Sequence, residues 1–303
     1  MNLRTESARS QGKRLPPHAY FLVSAVFHYL GPAFAVLLFS SVSVLGVAWL
    51  RIATAAVVFA AWRRPWRALA SMSPGARWSL LGMGVVLGLM NACFYLAISR
   101  IPLSTVGAIE FIGPVALAAV GSRTPRNILA LVLAAAGGWL LTDVRLAGQL
   151  TGFLFAFANC ALFVLYVILG HTMARDGGST GIDRLGASML VALVTITPLG
   201  LVPALPAMSQ PSLLLAGIGV GICSSVIPYV TDQLAMARLP RATFALMLSI
   251  LPASATLIGV LLLHQVPTPL EGAGILMVAA GVAIRRDQQE QDRAGTDPRG
   301  PRI

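Results

Sequence analysis

Charge is what this sequence most lacks. Only 11% of its 303 residues are Asp, Glu, Lys or Arg, whereas 56% are hydrophobic, and the mean hydropathy is +0.79. A chain so apolar is not a water-soluble domain. Cysteine is scarce too. Cys93, Cys160 and Cys223 are widely spaced, with no C-x-x-C pair and no histidine at ligand spacing, so they read as small packing residues. The four histidines, His18, His28, His171 and His264, are scattered and form no H-E-x-x-H pattern. No nucleophile and base constellation appears. These absences exclude a metal-dependent intramembrane enzyme, and the chain is expected to be no enzyme and to need no metal or cofactor.

What the sequence does have is a succession of apolar stretches. A transmembrane helix needs about 20 apolar residues, so ten spans would occupy about 200 and leave room only for tails and short loops. Divided at charges and at Pro and Gly, the spans fall near 18–39, 43–62, 77–98, 103–121, 127–142, 150–171, 185–203, 211–232, 240–262 and 268–284. Pro102 and the Arg before it favour a tight hairpin between the third and fourth spans over one long helix. The first stretch follows basic residues, as a signal peptide would. It is too long for one, contains Gly31-Pro32 and leads into further spans without a small-residue cleavage site, so it reads as the first helix. Residues 287–303, rich in Gln, Asp, Arg, Gly and Pro, are expected to be disordered.

The net charge of +11 raises nucleic acid as a partner until its distribution is read. With the amino terminus inside, the cytoplasmic face receives Arg4, Arg9, Lys13, Arg14, Arg63, Arg64, Arg67, Arg77, Arg123, Arg126, Arg175, Arg184, Arg238, Arg241 and the arginines of the tail. The opposite face receives only Arg100 and Arg145. Basic residues accumulate on the cytoplasmic side of membrane proteins. The basicity therefore predicts topology, with both termini cytoplasmic, and not a nucleic-acid partner.

Sliding the chain on itself by 138 positions aligns Leu96-Ala97-Ile98-Ser99-Arg100-Ile101-Pro102 with Leu234-Ala235-Met236-Ala237-Arg238-Leu239-Pro240. Without a gap, the same register brings Thr105 onto Thr243, Ile112 onto Ile250, Pro114 onto Pro252 and Gly121 onto Gly259. The offset takes the third helix onto the eighth and the fourth onto the ninth, so each repeat holds five helices. An odd number inverts the second copy in the bilayer. The expected fold is an all-α membrane protein of ten transmembrane helices in two inverted five-helix repeats. Residues 1–17 form a cytoplasmic tail, 18–142 and 150–286 the repeats, and 287–303 the second cytoplasmic tail. Many secondary transporters are built this way, because two pseudo-equivalent halves can open a central site to each face in turn.

Glu110 falls about eight residues into the fourth span, close to the bilayer midplane at 1.5 Å per residue. A carboxylate there costs at least about 2.5–3.5 kcal/mol unless it is protonated, paired or hydrated. Because burial penalises the ionised form, such a group can take up and release protons. The alternative is a structural carboxylate locked to a cation. Arg51, about eight residues into the second span and so also near the midplane, is that cation, and it cannot escape burial by losing its proton. It serves either as a static or gating partner of Glu110 or as a binder of a substrate carboxylate.

Asn91 and Tyr95 share one face of the third helix, where they offer hydrogen bonds to a zwitterion or between helices. On the repeat-related eighth helix Ser225, Tyr229 and Asp232 form one stripe, with Pro228 freeing a backbone carbonyl between them. Asp232 is either part of the pathway or a solvated helix-end carboxylate. Pro114 and Pro252 occupy equivalent positions and are expected to loosen their helices one turn earlier, near Glu110 and Leu248. His28 and Asn159, in matching helices of the two halves, either line the pathway or are satisfied core residues.

The run from Gly88 through Asn91, Phe94-Tyr95 and Ile101-Pro102 to Ala108-Ile109-Glu110-Phe111-Ile112-Gly113-Pro114, with Arg238-Leu239-Pro240-Arg241-Ala242-Thr243-Phe244 in the second copy, resembles the threonine and homoserine exporter group of the drug/metabolite transporter superfamily, the EamA-type proteins. Arg51 and Tyr166 fall where that group has an Arg in helix 2 and an aromatic-rich helix 6. The resemblance covers roughly 18–286. It implies two EamA-type repeats around a central cavity, in a bacterial cytoplasmic membrane, and export of amino acids or related metabolites driven by the proton gradient. Two positions depart from the group, which often carries a Glu before the Pro of helix 9 and another after helix 9. Here they are Leu251 and Gln265, which leaves Glu110 as the principal intramembrane acid.

The reading is thus a proton-exchanging exporter of small amino acids or related zwitterionic metabolites such as threonine and homoserine. The alternatives are a multidrug or metabolite transporter of other direction and a membrane scaffold that transports nothing. The expected partners are a small polar or zwitterionic solute, protons and the lipid bilayer, with room for a homo-oligomer.

Overall fold

The computed structural model describes residues 17–66, 70, 72–121, 123–143, 146–175, 181–236, 248 and 250–284, and the regular structure among them is helical throughout. In chain order the helices are α1 (Pro17–Leu38), α2 (Val44–Arg63), α3 (Pro74–Ile98), α4 (Leu103–Gly121), α5 (Pro125–Asp143), α6 (Leu146–Arg175) and α7 (Gly181–Met208). The next, α8, is composite: Pro211–Gly221, a π-helical stretch Ile222–Val226, then Ile227–Met236. Then come α9 (Ile250–Leu263) and α10 (Pro269–Ile284). Six of these segments, in α1, α2, α3, α6, α7 and α8, are long and apolar enough to cross a membrane. The apolar parts of α4, α5, α9 and α10 are shorter.

Most boundaries lie within a few residues of those expected. The sixth and seventh spans are longer, because α6 runs on to Arg175 and α7 continues through Pro198, Pro203 and Pro206. Charge and proline end an apolar run in sequence, whereas a packed membrane helix tolerates both. Of the ninth span, 240–247 and 249 lie outside the described residues, as do Arg67, Arg145, Arg238 and both tails.

Local signals explain several ends. Ser73 accepts a hydrogen bond from the Ala76 N–H at 3.3 Å with Pro74 as the first helical residue, a serine cap before a proline start. Before α10, Thr268 N–H donates to Glu271 Oε2 at 2.7 Å and Glu271 N–H donates to Thr268 Oγ1 at 3.2 Å, which satisfies two amides that the helix start would leave unpaired. The hairpin expected at Pro102 is present. Arg100 Nη1 donates to Leu96 O at 2.6 Å, a cation on the last carbonyls of α3.

The chain exposes many large apolar residues and buries several polar ones within an apolar core. Trp78, Trp139, Val194 and Leu276 are exposed, while Arg51, Asn91, Glu110, Asn159, Ser224 and Ser225 are buried. That distribution suits lipid as the surrounding solvent, since polar side chains in membrane helices turn toward the bundle interior. Neighbouring helices approach through small residues. A Cβ on Gly46 of α2 would lie 2.5 Å from Pro203 O of α7, and one on Gly137 of α5 would lie 2.5 Å from Gly274 O of α10. Only glycine permits backbones to come so close.

The prolines behave differently from one another. Pro114 does not break α4, which stays helical from Leu103 to Gly121; a single proline removes one backbone bond, and packing holds the rest of the helix. Pro252 lies in the first turn of the described α9, and the Leu248 carbonyl that it leaves accepts instead from Leu251 N–H at 3.1 Å. Among the described residues only Pro228 coincides with a change of helix type, because the π-helical stretch ends two residues before it.

Candidate functional site

Pro228 has no N–H to return to the carbonyl four residues earlier, that of Ser224. Arg51, from the middle of α2, supplies the missing donor: its Nη2 donates to Ser224 O at 3.0 Å and its Nε to Ser225 Oγ at 2.8 Å. The guanidinium also stands over the Tyr95 ring of α3, 5.3 Å from the centroid, as a cation–π pair. Arg51 is 5% exposed, and these partners among the described residues are all neutral.

The static ion pair weighed for Arg51 and Glu110 is not formed. Neither residue makes one among the described residues, although the two lie within electrostatic range of each other. The ion pair that α2 does make is at its end, where Arg63 Nε meets Asp183 Oδ1 of α7 at 2.8 Å. Glu110 is also 5% exposed. It faces Asn159 of α6 and the Tyr29 phenol of α1. Its Oε2, both polar atoms of the Asn159 amide, Tyr29 OH and Tyr95 OH have no hydrogen-bond partner among the described residues. Buried polar groups are nearly always paired, so unpaired ones gathered in one place require an explanation.

The remaining expected residues extend this cluster. Asn91 donates from Nδ2 to Leu87 O of its own helix at 2.8 Å and lies beside Tyr229. Tyr229 is within electrostatic range of Arg51, Glu110 and Asp232. Asp232 is partly buried and near Ser24 and Tyr166. His28 packs edge-on against Tyr29 at 5.2 Å and lies within range of Arg51. All nine polar residues singled out in the sequence therefore belong to one connected group.

Sequence reasoning missed Ser224, Tyr29 and Ser24. Ser224 was accessible, since counting four residues back from Pro228 identifies the freed carbonyl. Ser24 Oγ donates to Pro228 O at 3.3 Å, and nothing in the local pattern announces that contact or the one made by Tyr29. Of the two positions that depart from the exporter group, Leu251 is simply buried. Gln265 works at a helix start, where its Oε1 accepts from the Leu103 N–H of α4 at 3.0 Å.

A helical bundle that exposes large apolar side chains and buries Arg51 and Glu110 without an ion pair among the described residues defines a polytopic membrane protein. The EamA-like transporter family matches residues 150–285. The threonine/homoserine exporter RhtA of Salmonella typhimurium is 33% identical over 270 residues, covering 86% of this chain and 89% of that protein. RhtA of Escherichia coli K12 is 33% identical over 261 residues, covering 84% and 86%. This chain belongs to the EamA-like transporter family, within the threonine/homoserine exporter-like group of the drug/metabolite transporters. One solved crystal structure superposes with a TM-score of 0.56 at 19% identity, over 92% of this chain and 99% of its own, and shares the fold.

Proposed function

We propose that the chain is a secondary transporter that exports small amino acids or related zwitterionic metabolites across a bacterial cytoplasmic membrane in exchange for protons. The observation that carries this reading is the 33% identity to RhtA over most of both chains, joined to Arg51 and Glu110, which are buried and form no ion pair among the described residues. A scaffold would gain by pairing them, because an unpaired buried charge is strongly destabilising.

Ten spans in two inverted repeats, 18–142 and 150–286, with both termini cytoplasmic, form the frame of this reading. The helix contacts support it. Exchanging each helix with the one five places away turns α3–α6 into α8–α1, α4–α6 into α9–α1, α3–α7 into α8–α2 and α4–α5 into α9–α10, and each counterpart is present. The pairs α2–α7 and α5–α10 map onto themselves, which is what a pseudo-twofold axis between them requires.

Glu110 is the proton-carrying residue in this scheme. Ionised, it favours a cationic group on the substrate; protonated, it releases that group and carries a proton back as the emptied carrier returns. The test uses purified protein in proteoliposomes. An imposed pH gradient should drive uphill movement of labelled L-threonine, and unlabelled threonine on the far side should drive counterflow. Protein that catalyses neither, in vesicles shown to hold a pH gradient, removes the transporter reading for this substrate.

A further inference from the structure

A guanidinium presents five N–H donors on two usable edges, each with a pair of parallel N–H groups. In Arg51 the Nε/Nη2 edge is occupied by the π-helical stretch of α8, through Ser225 Oγ at 2.8 Å and Ser224 O at 3.0 Å. One face is covered by Tyr95. The other edge, formed by Nη1 and the second Nη2 hydrogen, has no hydrogen-bond partner among the described residues. The occupied edge holds the group in place but brings no negative charge, because a hydroxyl, a carbonyl and a ring are all neutral.

The opposite charge lies nearby and is equally unspent. Among the described residues Glu110 Oε2, both amide atoms of the neighbouring Asn159, and the hydroxyls of Tyr29 beside Glu110 and Tyr95 beside Arg51 are buried without a hydrogen-bond partner. Two like ligands, or one singly charged ligand, would answer only half of this arrangement. A single small molecule that bears both a carboxylate and an ammonium answers all of it.

We propose that Arg51 is the carboxylate clamp of an α-amino-acid site, with its Nη1/Nη2 edge taking the ligand carboxylate bidentately while Glu110 and Asn159 take the ammonium. This rests on the amino-acid reading above and adds which atoms of the chain distinguish which end of the ligand. The π-helical stretch of α8 then has a role in specificity: it fixes the orientation of the guanidinium so that the fork is presented before the ligand arrives. Pre-organisation of this kind lowers the ordering cost of binding. Tyr95 confines the guanidinium plane, and Ser225 is a positioning residue that acts through Arg51.

The test compares three probes on the purified full-length protein in nanodiscs: L-threonine, L-threoninol, which lacks the carboxylate, and 3-hydroxybutyrate, which lacks the ammonium. Wild type should bind threonine roughly tenfold or more tightly than either analogue, since a lost charge-assisted bond leaves a buried charge unanswered. Arg51→Gln should abolish the preference for threonine over threoninol and keep the preference over 3-hydroxybutyrate. Glu110→Gln should give the converse. That crossed pattern is specific to the two-ended clamp; a merely structural Arg51 would weaken every probe alike. Wild type that binds threonine and threoninol equally overturns the clamp without any variant having to fold. Threonine binding with discrimination that Arg51→Gln leaves intact overturns the clamp alone. Failure of wild type to bind threonine at all, in protein that is folded by its melting transition, removes the amino-acid reading and the clamp together.

Discussion

Arg51 donates from Nη2 to the carbonyl of Ser224 at 3.0 Å, and that carbonyl is the one Pro228 deprives of its helical donor. A side chain on α2 thus completes the backbone of α8. The same guanidinium is thereby anchored away from Glu110, and the two charges stay apart.

Replacing Pro228 should expose this dependence. Pro228→Ala provides an N–H for Ser224 O, and the π-helical stretch can relax to α, turning the second half of α8 by about 100°. Tyr229 and Asp232 would leave the cluster, and Arg51 would lose its acceptor. Transport of labelled threonine should be lost while the melting temperature changes little, because the cost of an interior proline in a helix, about 3 kcal/mol, offsets the contacts that Arg51 loses. Unchanged transport would show that the proline has no part in the site.

Arg51→Ala should destabilise the protein by about 2–4 kcal/mol, as it leaves two buried acceptors without a donor, whereas Asn91→Ala removes one bond within its own helix and should cost about 1 kcal/mol. Since Arg51 and Glu110 do not touch, Arg51→Ala with Glu110→Gln should recover less than about 1 kcal/mol beyond additivity. A reversible detergent titration of the two single variants and the double variant reads this directly. Larger recovery would mean that the side chains meet in a state other than the one described.

Glu110→Gln resembles only the protonated state. It should stop accumulation driven by a pH gradient and spare part of the exchange that needs no net proton movement. Glu110→Asp should keep partial activity with an optimum at lower pH, because aspartic acid is intrinsically the stronger acid. Uphill transport by normally expressed Glu110→Gln would transfer the role to Asp232, whose Asn variant is then the next to assay.

Reporter fusions check the frame. Fusions after Arg67 and after Arg286 should read cytoplasmic, and one near Arg145 external. A cytoplasmic signal at Arg145 is incompatible with five spans per repeat.

Gly137→Leu should prevent folding at ordinary expression levels, since even a Cβ there would lie 2.5 Å from the Gly274 carbonyl and overpacking a close contact forces the backbone apart. The readout is the fraction of monodisperse protein after extraction. Normal yield would mean that α5 and α10 are less tightly joined than described.

The sequence by itself determined the elements of the bundle and their content. Apolar run length located the helices within a few residues of where they lie, and counting along α2 and α4 singled out Arg51 and Glu110, both of which are buried. Even the carbonyl freed by Pro228 follows from counting along one helix. Which way each side chain faces is a property of packing between helices, and only the tertiary structure decided it. It put Ser225 and the Ser224 carbonyl, rather than Glu110, in front of Arg51, and it turned Asn159 and Tyr29 toward Glu110. It also kept α4 helical through Pro114 and placed a change of helix type beside Pro228. Hydropathy and charge act on a helix as a whole, but an ion pair depends on the azimuth of two side chains. That azimuth is set by the small residues that allow neighbouring backbones to close together.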